Sequence, residues 1–278
     1  MNSARIIPLV ILAFLLTVPG FERNTSWAAA EDLSGAGIAN RQGDSSTRGG
    51  NAGWSTRVVT ERELDRMDSS DWDLSPSLRK RILARLNVRD PDYIAEDIKR
   101  GKPLKVPDDF SRFKNWTPLQ TYIADVADLP KFILVVRDIP FIGWYERGRL
   151  VGDTYICIGK QDYSTRDGLY TVREKDIDHV SRSYPNAYGE PAPMPWALRI
   201  YEHVWIHAGD ITGGYCSHGC INLPIFPAMR LFDWATPGTL VLIVDSLGEV
   251  PTIIARNRGN CSLFASHCTP GEWSARKG

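Results

Sequence analysis

From Lys131 onward the hydrophobic period of the chain changes, and that change constrains the fold more than any other feature. Phe132-Ile133-Leu134-Val135-Val136 is an apolar, β-branched run of strand length. Phe141–Glu146 and Arg149–Ile158 are two further strand-like runs flanking Arg147-Gly148, a hairpin turn. Gly168–Val172, Ala197–Tyr201, Val204–His207 and Thr239–Val244 continue the series. One helix is expected between Pro224 and Trp234, carrying Phe226, Met229, Leu231 and Phe232. The expectation for residues 131–246 is a mainly β, mainly antiparallel domain with one or two short helices.

The segment before it reads differently. Ser75-Pro76 sets a cap and a first-turn proline ahead of Leu78, Ile82, Leu83 and Leu86, an amphipathic spacing. Asp90-Pro91 repeats that start ahead of Tyr93, Ile94 and Ile98, and Gly101 stops it. Residues 61–130 are therefore a small helical region followed by an irregular connector from 102 onward. Residues 31–60 are rich in Gly, Ser, Asn and Arg, bury too little to order themselves, and read as a flexible linker. Residues 1–30 hold Arg5, an apolar run from Ile6 to Val18, and Ala28-Ala29-Ala30, the pattern of an export signal peptide or short anchor rather than a membrane span. Residues 247–278 form a C-terminal tail. The chain is expected to be exported.

Charge and cysteines narrow the function. The 33 basic and 33 acidic residues balance, so no field draws the chain to nucleic acid, and no nucleic-acid partner is expected. Five cysteines stand at 157, 216, 220, 261 and 268. Export permits disulfides, and an odd count leaves one thiol over. Cys157 reads as a core residue, and Cys261 and Cys268 are placed to close a small loop in the tail.

Cys220 is the cysteine with a chemical neighbourhood. It ends Tyr215-Cys216-Ser217-His218-Gly219-Cys220, and His207 closes a strand upstream. A thiol with a histidine base suits acyl transfer. The amides of His218, Gly219 and Cys220 are expected to converge on an oxyanion. The helix from Pro224 is expected to favour thiolate. The carbonyl of Ala208 or Gly209 is expected to hold one tautomer of His207. Two other readings stay open: zinc held by His207, Cys216, His218 and Cys220, and a Cys216–Cys220 disulfide. His203 reads as a turn residue, and His179 carries no signal.

The array His207 … Ser217-His218-Gly219-Cys220-Ile221-Asn222 resembles the L,D-transpeptidase catalytic domain of YkuD type. Thr165-Arg166-Asp167-Gly168-Leu169-Tyr170-Thr171-Val172 and Met194–Arg199 are similar to two further segments of that family, and the resemblance covers about 131–245. It implies a β-sandwich-like catalytic domain and a cysteine acyltransferase of peptidoglycan synthesis, needing no cofactor and no metal. Cys220 would attack the diaminopimelate carbonyl of a tetrapeptide stem and release D-alanine. His207 would act as base. His218, Gly219, Ser217 and Asn222 would form the oxyanion and substrate-orienting set. The acceptor would be another stem's amine, giving a 3–3 cross-link, or a lipoprotein lysine. Carbapenems would acylate the thiol. Two alternatives are weighed: an L,D-carboxypeptidase or amidase of the same fold using water, and a non-enzymatic peptidoglycan-binding protein. Nine residues separate His207 from Ser217, fewer than usual, and Arg166 stands where the family often has proline. Both departures bear on the loop roofing the site.

Overall fold

A computed structural model describes residues 53–66, 74–160, 165–186 and 188–258. The export-signal and tail-cysteine expectations lie outside these residues. No helix among the described residues is long and apolar enough to cross a membrane.

The N-terminal part runs β1 (Trp54–Arg57), α1 (Glu61–Arg66), α2 (Pro76–Asn87), α3 (Pro91–Lys99) and β2 (Leu104–Pro107). The Ser75 hydroxyl accepts from the Leu78 amide, so α2 starts with the expected cap and first-turn proline. Helix α3 starts after Asp90 as expected, but the Asp90 side chain makes no capping bond. Gly101 follows α3 at φ 64°, a conformation open to glycine at little cost. Within the stretches read as linker and connector, β1 and β2 pair antiparallel, Trp54 opposite Pro107.

The remainder runs β3 (Phe132–Val136), β4 (Phe141–Glu146), β5 (Arg149–Tyr155), β6 (Ile158–Gly159), β7 (Gly168–Thr171), β8 (Glu174–Asp176), β9 (Val180–Pro185), β10 (Pro191–Pro193), β11 (Ala197–Tyr201), β12 (Val204–Ala208), β13 (Tyr215–Ser217), β14 (Ile221–Leu223), α4 (Ile225–Trp234), β15 (Leu240–Val244) and α5 (Val250–Arg258). Arg147 and Gly148 both take positive φ, the geometry of a tight two-residue hairpin. Five strands form one sheet in the order β5-β4-β3-β15-β7, and four form a second, β14-β12-β11-β8. The fold is mainly β, as expected. Most pairings are antiparallel, but β15 with β3, β12 with β14, and β13 with β6 run parallel. The physical reason is legible in β3 and β15: both are uniformly buried, and parallel strands covered on both faces carry continuous apolar runs.

Alternation on those strands separates two cores. Ile133, Val135, Ile142, Trp144, Val241 and Ile243 meet Leu198, Ile200, Ile206, Ile221 and Leu223 of the second sheet, with Ala228 and Leu231 of α4. Phe132, Leu134, Val136, Phe141, Tyr145 and Leu242 face the other way, against Leu83, Leu86, Ile94 and Ile98 of α2 and α3. Ile254 of α5, in the stretch read as tail, joins that outer core. The helical region thus shares one core with the five-stranded sheet. Truncating the fully buried Leu83 to alanine would cost about 3 kcal/mol.

Candidate active site

The site is built on the outer face of the second sheet. In the parallel pair β12–β14, Ile206 lies opposite Ile221, His207 opposite Asn222 and Ala208 opposite Leu223. Ile206, Ala208, Ile221 and Leu223 all point into the inner core. Side chains alternate along a strand, so Trp205, His207 and Asn222 point outward, and Cys220, two residues before Asn222, shares their face. Cys220 packs there against Met194, Ala197 and Trp205. Strand rise and spacing place His207 and Cys220 about 8 Å apart at their Cα positions, one strand over and two residues along. At that separation, side chains on a shared face can meet over a substrate bound between them.

His207 is buried, and its Nδ1 lies 2.8 Å from the Ala208 carbonyl oxygen. With Nδ1–H donating to that oxygen, Nε2 carries the lone pair and is the basic nitrogen. Burial lowers the imidazole pKa from 6.5 to about 4; the Ala208 carbonyl works against this, and nearby His179 works with it. Cys220 is a free thiol. Its Sγ faces the His203 carbonyl at 3.8 Å, over the β11–β12 turn. Burial pushes the thiol pKa up, and the Trp205 backbone amide only partly offsets it. The expected lowering by a helix N-terminus is therefore corrected: α4 begins after β14, and the four extended residues between Cys220 and Ile225 span about 13 Å, beyond the first-turn range of a helix dipole. The resting pair is neutral thiol and neutral imidazole.

The turn carrying the thiol is tied internally. Ser217 Oγ donates to the Cys220 carbonyl at 2.6 Å and accepts from the Gly219 amide at 3.1 Å. Gly219 sits at φ 115°, which side-chain-bearing residues avoid. Buried Thr165 donates to the Gly219 carbonyl at 2.8 Å and accepts from the Gly159 amide at 2.9 Å. The expected three-amide oxyanion cradle is altered accordingly, because the Gly219 amide already serves Ser217. Beside the turn, the His218 ring stacks on Tyr184 of β9 with centroids 4.3 Å apart. Asn222 Nδ2 donates to the Asp210 carbonyl at 3.2 Å, holding the loop between His207 and Ser217.

Cys216 bonds Cys157, not Cys220, with a Cα–Cα distance of 5.6 Å. This leaves the Cys220 thiol free and removes Cys216 from a zinc-ligand set. Cys157 is buried as expected, and its disulfide was hidden because β13 pairs with β6 across 59 residues of sequence.

Three residues near the site escaped the sequence reading. Thr165 was seen only as part of a motif, although it pins Gly219. His179 stacks on Trp205 with centroids 3.9 Å apart, and its Nδ1 lies 2.9 Å from Asp176 Oδ2. Tyr201, stacked on Tyr170, accepts from the Arg166 amide at 2.9 Å. Proline at position 166, with no N–H to give, could not make that bond.

Residues 130–243 match the family model of the L,D-transpeptidase catalytic domain. L,D-transpeptidase 2 of Mycobacterium tuberculosis is similar at 30% identity over 115 residues, 36% of this chain and 28% of that protein. The chain thus spans about a quarter of the length of that curated relative. An L,D-transpeptidase structure from Stackebrandtia nassauensis is similar at 15% identity, covering 70% of this chain and 95% of that one, with a TM-score of 0.44. Another, solved in complex with imipenem, is similar at 22% identity over 41% of this chain and 59% of that one, with a TM-score of 0.39.

Proposed function

With an L,D-transpeptidase catalytic domain at residues 130–243 as the premise, we propose that this protein is a peptidoglycan L,D-transpeptidase with Cys220 as nucleophile and His207 as base. The observation that carries the reading is the free Cys220 thiol on the sheet face of a buried His207 whose Nδ1 is tied to Ala208.

Because thiol and imidazole rest neutral, proton transfer accompanies attack. Cys220 Sγ adds to the diaminopimelate carbonyl of a tetrapeptide stem, and its proton passes to His207 Nε2. The oxyanion is met by backbone amides of the turn, Cys220's own foremost, with Ser217 holding the turn in shape. The tetrahedral species collapses, D-alanine leaves with the proton from His207, and a thioester remains. An amine then attacks the thioester, gives its proton to His207, and leaves the cross-linked product; His207 returns that proton to the sulfur. Asn222, opposite His207 in the sheet, and His218, beside the thiol turn, orient the substrate. The acceptor is the side-chain amine of a second stem, and a lipoprotein lysine is the other amine the chemistry admits.

The Cys157–Cys216 disulfide supports an exported protein, because such bonds persist in oxidising compartments. The N-terminal apolar run supports the same placement, in the periplasm or envelope.

Intact mass after incubation with imipenem tests the reading. One drug mass added to the wild type and none to Cys220→Ala is the expected result. No adduct on a protein with a confirmed free thiol would overturn it. Tetrapeptide donor supplied with and without an amine acceptor then separates transfer from hydrolysis by product mass.

A further inference from the structure

Asp90 stands at a helix start, yet its side chain does not cap the helix. It reaches the loop between His207 and Ser217 instead. Its Oδ2 accepts from the Ile211 amide at 2.7 Å, and its own amide donates to the Ile211 carbonyl at 2.9 Å. Tyr155 Oη donates to Oδ1 at 3.1 Å. Neighbouring Arg89 bonds the Thr212 carbonyl. The Ile211 side chain is fully buried in the core shared with α2 and α3. One residue before it, the Asp210 carbonyl takes the Asn222 amide, and Asn222 lies in register with His207. A continuous set of bonds thus leads from Asp90 through residues 210–211 to the sheet face that carries His207 and Cys220. A departure from a local rule at such a place points to function rather than to stability alone.

We infer that Asp90 is a positioning residue for this active site: it fixes the short loop 209–214 against Asn222, so that the N-terminal helices are a working part of the catalytic unit. The inference rests on the acyl-transfer reading for its consequence, but not for its geometry.

The test compares the full chain with Asp90→Ala, Asp90→Asn and Leu83→Ala. Leu83 lies in the same core but touches none of these bonds, so its variant reports destabilisation alone. Imipenem acylation is timed well below each unfolding midpoint, and hydrogen exchange at the Ile211 amide is followed. Asp90→Ala is expected to acylate at least tenfold more slowly and to lose Ile211 protection. Asp90→Asn keeps one acceptor oxygen and is expected to stay within threefold of wild type. Leu83→Ala is expected to stay within twofold despite its lower midpoint. Equal slowing in Asp90→Ala and Leu83→Ala, or Ile211 release with unchanged acylation, overturns the inference. If the wild type itself forms no adduct, the acyl-transfer reading fails separately. The inference is then judged by Cys220 alkylation with iodoacetamide: a threefold change in Asp90→Ala alone supports it, and no difference between the two variants overturns it.

Discussion

The thiol turn and the loop that leads into it are adjacent in sequence and are held by opposite means. Residues 217–220 take their shape chiefly from near neighbours, Ser217 bonding both Gly219 and Cys220 within three residues, with Thr165 adding one remote bond to Gly219. Residues 209–216 are tied by distant ones: Asp90 and Arg89 to residues 211 and 212, and Cys157 to Cys216. Local bonds give a turn its shape. Remote bonds decide where that shape sits. The first can be read from a motif, whereas the second requires the fold.

The largest expected effect tests the turn. Cys220→Ala should abolish imipenem adduct formation while leaving the unfolding midpoint within a few degrees, because a small half-buried side chain is lost from the Met194–Trp205 cluster. An adduct persisting on this variant, read by intact mass, would place the chemistry elsewhere.

The loop is tested next by Cys157→Ala with Cys216→Ala. Opening a ring whose ends lie 59 residues apart should cost about 4 kcal/mol. For a domain of this size that is a fall of about 10 °C in Tm, read by thermal denaturation. Acylation measured at 20 °C should fall less than tenfold, because Ser217 and Thr165 still hold the turn. A collapse of acylation without a fall in Tm would break the distinction between shape and placement.

The pH dependence of stability reports on His207. In the unfolded chain the imidazole takes a proton near pH 6.5, and in the folded protein only near 4. The unfolded state therefore binds more protons between those values. The stability contributed by the neutral, buried ring is complete above pH 6.5 and is lost as pH falls toward 4. The loss amounts to about 3 kcal/mol. Denaturant titrations at pH 7 and pH 4 should show it in wild type and not in His207→Gln. The acylation rate should likewise hold flat from about pH 6 to 8 and decline toward an acid midpoint near 4, since only neutral His207 can take the thiol proton.

Ser217→Ala sharpens the turn half of the comparison. It leaves the Gly219 amide without its acceptor in a buried setting, at a cost of about 2 kcal/mol. Acylation should slow about thirtyfold, and Ser217→Thr, which keeps the hydroxyl, should recover most of it.

What the sequence made legible follows the same division. Period-two and apolar-run patterns located β3, β4, β5, β11, β12 and β15 and the helices α2, α3 and α4, because burial on each is dictated by local spacing. The short strands β6, β8, β13 and β14 carry too few residues to show a period and exist because of their partners. Cys220, His207 and Ala208 stood out through residue type and order. Their protonation did not, since burial sets it and no motif encodes burial. Asp90 was read as a helix start, which it is, but its side-chain partner stayed hidden for a similar reason. Its position obeys the rule for a helix cap, while its side chain answers a partner 121 residues away.

The smallest expected effect concerns Arg166. Its amide donates to Tyr201 Oη at 2.9 Å, and its guanidinium pairs with Glu202 in the open. Exposed pairs of that kind contribute little. Arg166→Pro removes the amide donor and the side chain together, whereas Arg166→Ala removes only the side chain, with its charge and its place over the Tyr201 ring. The alanine variant should match wild type in Tm and in acylation rate. The proline variant should lose about 3 °C, because the half-buried Tyr201 hydroxyl loses its donor beside the thiol turn. Tyr201 stacks on Tyr170, and Thr165, the residue that pins Gly219, directly precedes Arg166. A small acylation loss of two- to threefold in the proline variant alone would therefore mark the backbone, not the charge, as what Arg166 contributes. Equal losses in both variants would mean that the exposed pair with Glu202 holds the β11–β12 turn under the sulfur, and local bonding around Cys220 would then extend to its surface charges.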